Sequence, residues 1–228
     1  MTRRSHKWHQ GNAARGGFTA YRMPDVNGET RSGWNMYLDT GTANGATFPG
    51  VLRLTFSRLV TPAQDFRYRH ATNATISPAT TFDMSGDFNL VSNTNVCGYL
   101  GFWNSASGNG TNDIRVSIYD ACVMITAHNS TSTAIHGSTG SGISTGTQYW
   151  YRFRNDATNI SFDVYSTRAL ADAGSTGDVS QSVLEVSTIA GTVTCNRYGW
   201  SSIPTAGNVR NMVFDINYFD GDRVNWYE

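Results

Sequence analysis

Residues 146–167 read GTQYWYRFRNDATNISFDVYST, a stretch with two runs of alternating apolar and polar side chains. Successive side chains of a β-strand point to opposite faces, so each run places its apolar residues on one face. These residues are Tyr149, Tyr151 and Phe153 in the first run and Ile160, Phe162 and Val164 in the second. Asn and Asp between the runs favour a turn. The stretch predicts an antiparallel β-hairpin with one apolar face.

The register of this hairpin can be proposed from the same pattern. Placing Phe153 opposite Ile160 keeps the apolar side chains together and pairs Trp150 with Asp163. The opposite face then carries a mixture of Trp, Arg, Asp and Tyr side chains. The apolar face must be covered by a second layer of structure.

Composition and further patterns predict what that layer is. Only 15% of the 228 residues are charged, and no window of helical length shows sustained helical periodicity. The best short helix candidate is 166–174. Other alternating runs occur in LRLTF (52–56), VCGYLGFW (96–103), DIRVSIYDACVMITAHN (113–129) and VRNMVFDINYF (209–219). We expect roughly ten to thirteen strands in two packed antiparallel sheets, an all-β sandwich.

The first 22 residues differ from the rest of the chain because they contain basic residues and no acidic ones. We predict that residues 1–33 form a basic extended N-terminal arm and that 34–228 form the sandwich. The arm would dock on a partner because its aromatic side chains are costly to leave in water. Its predicted binding residues are Arg3, Arg4, Lys7, Trp8, Arg15, Phe18, Tyr21 and Arg22.

Charge, cysteine content and hydropathy exclude several classes of function. Seventeen basic and seventeen acidic residues give a net charge of zero, which argues against specific nucleic-acid binding. The three cysteines have no metal-like spacing and are expected to be buried free thiols. No segment approaches membrane-spanning length, and no signal peptide is recognisable, so assembly in the host cytoplasm is expected.

The late aromatic hairpin QYWYRFRNDATNISFDVYST, followed by the final strand VRNMVFDINYF, resembles the C-terminal half of concanavalin A-like or laminin-G-like jelly rolls. The resemblance covers roughly residues 88 to 220 in pattern. It implies an antiparallel two-sheet jelly-roll sandwich, a fold that hosts lectins, glycosidases, lyases and structural modules. Function must therefore be argued from individual residues.

The residues argue against an enzyme. Glycosidases of this fold carry a strand with closely spaced glutamates, whereas Glu29, Glu185 and Glu228 are far apart in this chain. Arg67 to His70, RYRH, is similar to part of the alginate-lyase site, but the chain has no Gln-x-His motif. No G-x-S-x-G elbow occurs either. Asp220 and Asp222 are weak candidates for Ca²⁺ ligands, and no other cofactor is expected.

Two binding functions remain. The preferred hypothesis is a phage virion structural protein, capsid-decorating or tail-associated, which attaches to other subunits through the arm and forms a homo-oligomer. The alternative is a lectin-like module for surface glycans, and a polysaccharide-degrading enzyme ranks third. Aromatic and arginine side chains would form the sugar site. The candidates are Trp103, Trp150, Arg152 and Trp200.

Overall fold

The protein is described by a computed structural model. It describes residues 21–22, 34–38, 45–47, 52–58, 66–94, 98–104, 112–119, 122–129, 133–137, 142–202, 210–216 and 218–221. In several of these strands only the backbone is described. The arm residues Arg3, Arg4, Lys7, Trp8, Arg15 and Phe18 lie outside these ranges, as does Asp222. The prediction of an extended arm at 1–33 stays a prediction.

The described residues form sixteen strands and one α-helix. The strands of the first half are β1 (Tyr21–Arg22), β2 (Trp34–Leu38), β3 (Gly45–Thr47), β4 (Leu52–Arg58), β5 (Phe66–Ile76), β6 (Phe82–Thr94), β7 (Gly98–Trp103) and β8 (Asp113–Tyr119). Then follow β9 (Cys122–His128), β10 (Thr133–Gly137), β11 (Gln148–Asn155), β12 (Asn159–Tyr165), α1 (Arg168–Ala173), β13 (Ser180–Glu185), β14 (Cys195–Ser202), β15 (Arg210–Ile216) and β16 (Tyr218–Gly221).

The strands build two antiparallel sheets that pack face to face, so the predicted sandwich is confirmed. The nine-stranded sheet has the order β13-β12-β11-β6-β15-β4-β3, with β16 beside β6 and β1 beside β16. The seven-stranded sheet has the order β10-β9-β8-β7-β14-β5-β2. The predicted strand number was too low, partly because β1, β3 and β16 have only two to four residues. Strands that short carry no alternation that a sequence pattern can reveal.

The core lies between the sheets and is rich in aromatic rings. Phe88 of the nine-stranded sheet stacks on Phe214, with ring centroids 5.4 Å apart. Phe102 and Tyr198 meet in the seven-stranded sheet at 5.2 Å. The hydroxyl groups of Tyr151 and Tyr198 lie 3.1 Å apart and form a buried hydrogen bond from one sheet to the other. Aromatic side chains therefore supply both the packing and a polar link across the core.

The predicted hairpin is present as β11 and β12, but its predicted register was wrong by two residues. Phe153 pairs with Phe162 rather than Ile160, and Trp150 pairs with Tyr165 rather than Asp163. The turn is centred one residue later than predicted, and there the Asp156 side chain accepts hydrogen bonds from the backbone amides of Thr158 and Asn159, at 2.8 and 2.7 Å. A shift of two residues preserves the side-chain faces, so the predicted apolar face is correct.

Other local predictions have clear outcomes. The pattern of 113–129 forms the hairpin β8–β9, in which Ile118 pairs with Val123. The short helix candidate is α1, capped by Thr167 at its start and by Gly174 at its end. Within the described part of the chain, no helix is long and apolar enough to cross a membrane. Cys195 is a buried free thiol.

Candidate functional site

The strand registers assign residues to the two outer faces of the sandwich. Tyr198 and Trp200 belong to the core, so Arg197, Gly199 and Ser201 take the opposite face of β14. We call the outer face of the seven-stranded sheet the arginine face. The outer face of the nine-stranded sheet, which includes Trp150, is called the tryptophan face.

Three rows of paired residues cross the centre of the arginine face, each running from β5 through β14 and β7 to β8. The first is Ala71, Arg197, Trp103 and Asp113, and the second is Arg69, Gly199, Gly101 and Arg115. The third is Arg67, Ser201, Tyr99 and Ser117. The motif RYRH is thus divided between two faces, because Tyr68 and His70 pair with core residues while the two arginines do not.

An anchored arginine lies in the middle of this face. The Arg115 guanidinium donates to Asp113, with 3.1 Å between Nη1 and Oδ2. Its Cζ atom also lies over the ring of Tyr99, 4.9 Å from the centroid. His128 Nδ1 is 3.8 Å from the same carboxylate oxygen. Asp113 is only 1% exposed, so the guanidinium of Arg115 balances a buried charge, and this ion pair fixes the orientation of Arg115.

Two paired glycines lie beside Arg115. Gly101 and Gly199 are opposite each other on β7 and β14 and carry no side chains above the sheet. Gly101 has a φ of 156°, and a Cβ atom there would collide with the backbone of Ile114 and Arg115. The close approach of β8 therefore requires glycine at 101. The sequence patterns did not identify Tyr99, Asp113, Arg115 or His128 as site residues, because no short motif links them.

Two of the predicted sugar-binding tryptophans are not available to a ligand in this structure. Trp200 packs in the core against Tyr198, with ring centroids 5.8 Å apart, and is 1% exposed. Trp103 belongs to the arginine face by register but is 0% exposed. A ring must expose one side to stack on a sugar, so the prediction for both is corrected. Alternation placed Trp103 correctly but could not show how deeply it is buried.

Trp150 and Arg152 lie together on the tryptophan face, as predicted. Trp150 is partly buried between its strand partners Asp87 and Tyr165. Arg152 forms an ion pair with Asp83 on β6, and the neighbouring Arg154 forms one with Asp163 on β12. The two ion pairs run diagonally from β11 in opposite directions, so together they link β6, β11 and β12. Their pairing indicates a structural role for most of the charge on this face.

The segment between β12 and β13 closes one side of the tryptophan face. The Tyr165 hydroxyl donates to the Ser175 carbonyl at 2.6 Å, and the Gly177 amide donates to Asp163 Oδ1 at 3.2 Å. Burial, with the nearby charge of Asp163, raises the pKa of Tyr165 to about 12. The hydroxyl therefore remains protonated and continues to donate at neutral pH.

The described residues contain no group of three or more His, Cys, Asp or Glu side chains that could hold a metal ion. Asp220 is described only in its backbone, where it pairs with Ser85, and Asp222 lies outside the described ranges. The Ca²⁺ prediction is therefore untested. On the arginine face, the described side chains with acid or base chemistry are Asp113 and His128.

No protein-family model and no curated protein matches the chain by sequence. Solved structures are similar to it in fold. A Bacillus subtilis protein of unknown function with a galectin-like fold has a TM-score of 0.56 at 11% identity, over 91% of this chain and 100% of that one. The Emp47p carbohydrate recognition domain has a TM-score of 0.54 at 10% identity, over 91% of this chain and 97% of that domain. A family 7 alginate lyase has a TM-score of 0.55 at 10% identity, over 84% of this chain and 95% of the lyase.

At these identities the similarity concerns the fold alone. The neighbours confirm the predicted concanavalin A-like jelly-roll fold. They include lectin domains, lyases and proteins of unknown function, so the fold does not choose between binding and catalysis.

Proposed function

We propose that this protein is a non-catalytic carbohydrate-binding module whose binding surface is the arginine face. The observation that supports this proposal is Arg115, held by the buried carboxylate of Asp113 and stacked over Tyr99. The Arg115 side chain is 22% exposed, and a guanidinium fixed in this way can bind a ligand without losing much conformational freedom. The partly exposed ring of Tyr99 lies on the same face, whereas Ser117 and Thr126 there are only 2% and 4% exposed.

Carbohydrate is the ligand class that agrees with this surface. Sugar hydroxyls are recognised by fixed polar groups next to an aromatic ring, and this face has both. Two structures of similar fold also concern carbohydrates, the Emp47p carbohydrate recognition domain and the family 7 alginate lyase. We propose binding without catalysis because glycoside hydrolysis needs two carboxyl groups in concert. Asp113 is the one carboxylate that the described strands place on this face.

A glycan array with the full-length protein and two variants tests the proposal. Tyr99→Ala removes a partly exposed ring of the arginine face, and we expect it to lower glycan binding about tenfold, near the usual effect of losing one stacked aromatic contact. Trp150→Ala serves as the matched control on the opposite face and should leave binding unchanged. Thermal unfolding of both variants shows whether they are folded.

The variant Trp150→Ala also tests whether the sugar site lies on the tryptophan face instead. If Trp150→Ala abolishes binding while Tyr99→Ala has no effect, the predicted pair Trp150 and Arg152 forms the sugar site and the arginine face does not. A wild-type protein that binds no glycan at millimolar concentration would contradict the proposed function itself.

We also propose a second candidate function, attachment to a virion through the N-terminal arm, with assembly in the host cytoplasm. One observation favours it: β1, within the predicted arm, pairs with β16 through Tyr21–Phe219 and Arg22–Tyr218. An arm held to the sandwich at β1 would bring the segment before it within reach of a neighbouring subunit. Light scattering of the full-length protein beside a variant lacking residues 1–22 tests this. A defined oligomer formed only by the full-length chain supports attachment, and two identical monomers contradict it.

A further inference from the structure

One edge of the nine-stranded sheet is formed by β13, whose neighbour among the described strands is β12. The two strands pair regularly over six residues, and the ladder continues where the Val186 amide donates to the Thr158 carbonyl at 2.8 Å. In an antiparallel ladder, residues alternately direct their backbone groups towards the partner strand and away from it. Three residues of β13 therefore direct their backbone groups away from β12: Gln181, Val183 and Glu185.

Most of these outward backbone groups have no partner in the described part of the chain. The Glu185 carbonyl accepts from the Thr188 hydroxyl at 2.6 Å. The described residues make no other hydrogen bond to the outward amides and carbonyls of β13. Such an edge is a template for another strand, and proteins usually protect it with lysine, proline or a bulge. The sequence of β13, SQSVLE, contains neither residue, and its pairing with β12 has no bulge.

The side chains of the same residues are accessible and are complementary to a second copy of the strand. Gln181 and Glu185 are exposed, and Val183 between them is partly exposed. Two copies related by a two-fold axis would pair β13 with itself in antiparallel orientation. With the axis at Val183, the two valines face each other and Gln181 of one copy faces Glu185 of the other. This arrangement places an apolar pair at the centre and opposes no like charges.

The register of such a pair is limited at both ends of β13. The Val179 carbonyl accepts from the Gly142 amide at 3.4 Å, and the chain leaves the strand in a short 3-10 helix at Val186–Thr188. The outward groups available to a second copy therefore lie between these two points. An axis at Glu185 would oppose two carboxylates, which destabilises a strand pair. An axis at Val183 pairs all three outward residues.

We infer that β13 is a dimer interface, at which two copies of the protein pair through Val183 and join their nine-stranded sheets into one. The outward amides and carbonyls supply the hydrogen bonds, and the self-complementary side chains select a second copy of this chain. A single strand pair is small beside a standard interface, so we expect a dimer that dissociates in the micromolar range. Such a dimer requires neither the N-terminal arm nor a carbohydrate ligand.

Sedimentation velocity of the full-length protein between about 1 and 200 µM tests for this dimer. Val183→Lys and Val183→Glu each place like charges opposite each other at the axis, so each should weaken the dimer about tenfold or more. An equal mixture of the two variants should dimerise again, because lysine then faces glutamate. Ala169→Lys and Ala169→Glu are the matched controls, since Ala169 is exposed on α1, which contacts β11 and β12.

The variant Val183→Cys tests the same register with a smaller change to the side chain. Two residues of a hydrogen-bonded antiparallel pair have Cα atoms about 5.5 Å apart, which is within the range of a disulfide. Oxidation with diamide should therefore cross-link Val183→Cys into a covalent dimer. The wild type and Ala169→Cys, treated in the same way, measure cross-linking that does not involve position 183.

Several results would overturn the inference. A wild type that stays monomeric at about 200 µM would leave the edge to a strand of another protein. A dimer that neither Val183 variant weakens would have its interface elsewhere, and one that is lost only when residues 1–22 are deleted would belong to the arm. Equal losses in the Ala169 variants would mean that charge alone weakens the dimer. Folded Val183 variants that do not recover when mixed, or no cross-link at position 183, would contradict the pairing of Val183 with itself.

Discussion

Asp163 is the residue whose environment most clearly limits what can be changed on the tryptophan face. It is 0% exposed and forms an ion pair with Arg154. Gln181 Nε2 also donates to its Oδ1 at 2.8 Å, and the Gly177 amide donates to the same atom. A buried carboxylate with three donors is stable only while those donors are present, because desolvation of the charge is costly.

Replacing Arg154 with Met tests this dependence. We expect Arg154→Met to lower the free energy of unfolding by about 2–4 kcal/mol, because Asp163 loses its cationic partner while remaining buried. Urea denaturation measures the change. Arg168→Met is the control, since its pair with Asp172 is exposed and should contribute less than about 0.5 kcal/mol. Equal effects of the two substitutions would show that Arg154 does not stabilise Asp163.

The environment of Asp156 predicts how the stability of the protein depends on pH. Backbone amides of Asn159 and Thr158 donate to its side chain and lower the pKa of this carboxyl group. A group whose pKa is lower in the folded state stabilises the fold above its unfolded pKa, and the contribution is lost as the pH falls through the folded value.

The substitution Asp156→Asn removes the charge while keeping an acceptor oxygen. We expect the wild type to be more stable than this variant at pH 7 and the difference to shrink as the pH falls below about 4. Urea denaturation between about pH 2.5 and 7 measures it. A difference that stays constant over this range would mean that the charge of Asp156 does not support the turn.

At the level of elements, the β11–β12 hairpin shows what a sequence pattern can and cannot predict. Alternation predicted both strands and their apolar faces, because side-chain direction depends only on local backbone geometry. The register depended on the turn, where Asn155 binds the carbonyl groups of Pro78 and Thr80 at 2.7 and 2.9 Å. Those partners belong to another part of the chain. A pattern read along one hairpin could not include them.

The pairing of β6 with β11 depends on a glycine. Gly86 is opposite Tyr151, and a Cβ atom at position 86 would lie 2.5 Å from the tyrosine hydroxyl oxygen and 2.7 Å from the ring. The Tyr151 ring therefore occupies the space that a larger residue would need. We expect Gly86→Ala to destabilise the protein by about 1–3 kcal/mol, the usual effect of overfilling a core.

A double-mutant cycle separates this steric effect from a general loss of strand stability. In a Tyr151→Leu background the ring is absent, so Gly86→Ala should then cost less than about 1 kcal/mol. Chemical denaturation of the four proteins gives the coupling energy. Additive effects would mean that Tyr151 does not determine the need for glycine at 86. Tyr151→Phe serves as a control that keeps the ring and removes the hydroxyl group.

For the molecule as a whole, the fold was predictable and the candidate site was largely not. Period-two patterns are repeated in many strands, so the sandwich is specified many times along the chain. The arginine face combines residues from β5, β7, β8 and β14, which become neighbours only through the sheet order. Arg69 and Arg115 are far apart in sequence and share a row in the sheet. Strand order is a long-range property that alternation does not encode.

The link between the two sheets predicts how the whole molecule responds to alkali. Burial raises the pKa of Tyr198 well above its ordinary value, and its hydrogen bond to Tyr151 opposes this only in part. The unfolded chain therefore loses this proton first, near pH 10. A group whose pKa is raised on folding stabilises the fold below its unfolded pKa. That stability is lost as the pH rises through and above about 10.

We expect the free energy of unfolding to fall above about pH 10, with Tyr198 contributing about 1.4 kcal/mol per pH unit. Urea denaturation at several pH values between about 8 and 11.5 measures the slope. Tyr198→Phe should be less stable than the wild type at about pH 8, because it leaves the Tyr151 hydroxyl without this partner, but its stability should fall less steeply above about pH 10. Equal slopes in the two proteins would show that Tyr198 ionises as easily in the folded protein as in the unfolded chain. The two sheets would then not be joined by a protonated tyrosine pair in a dry core.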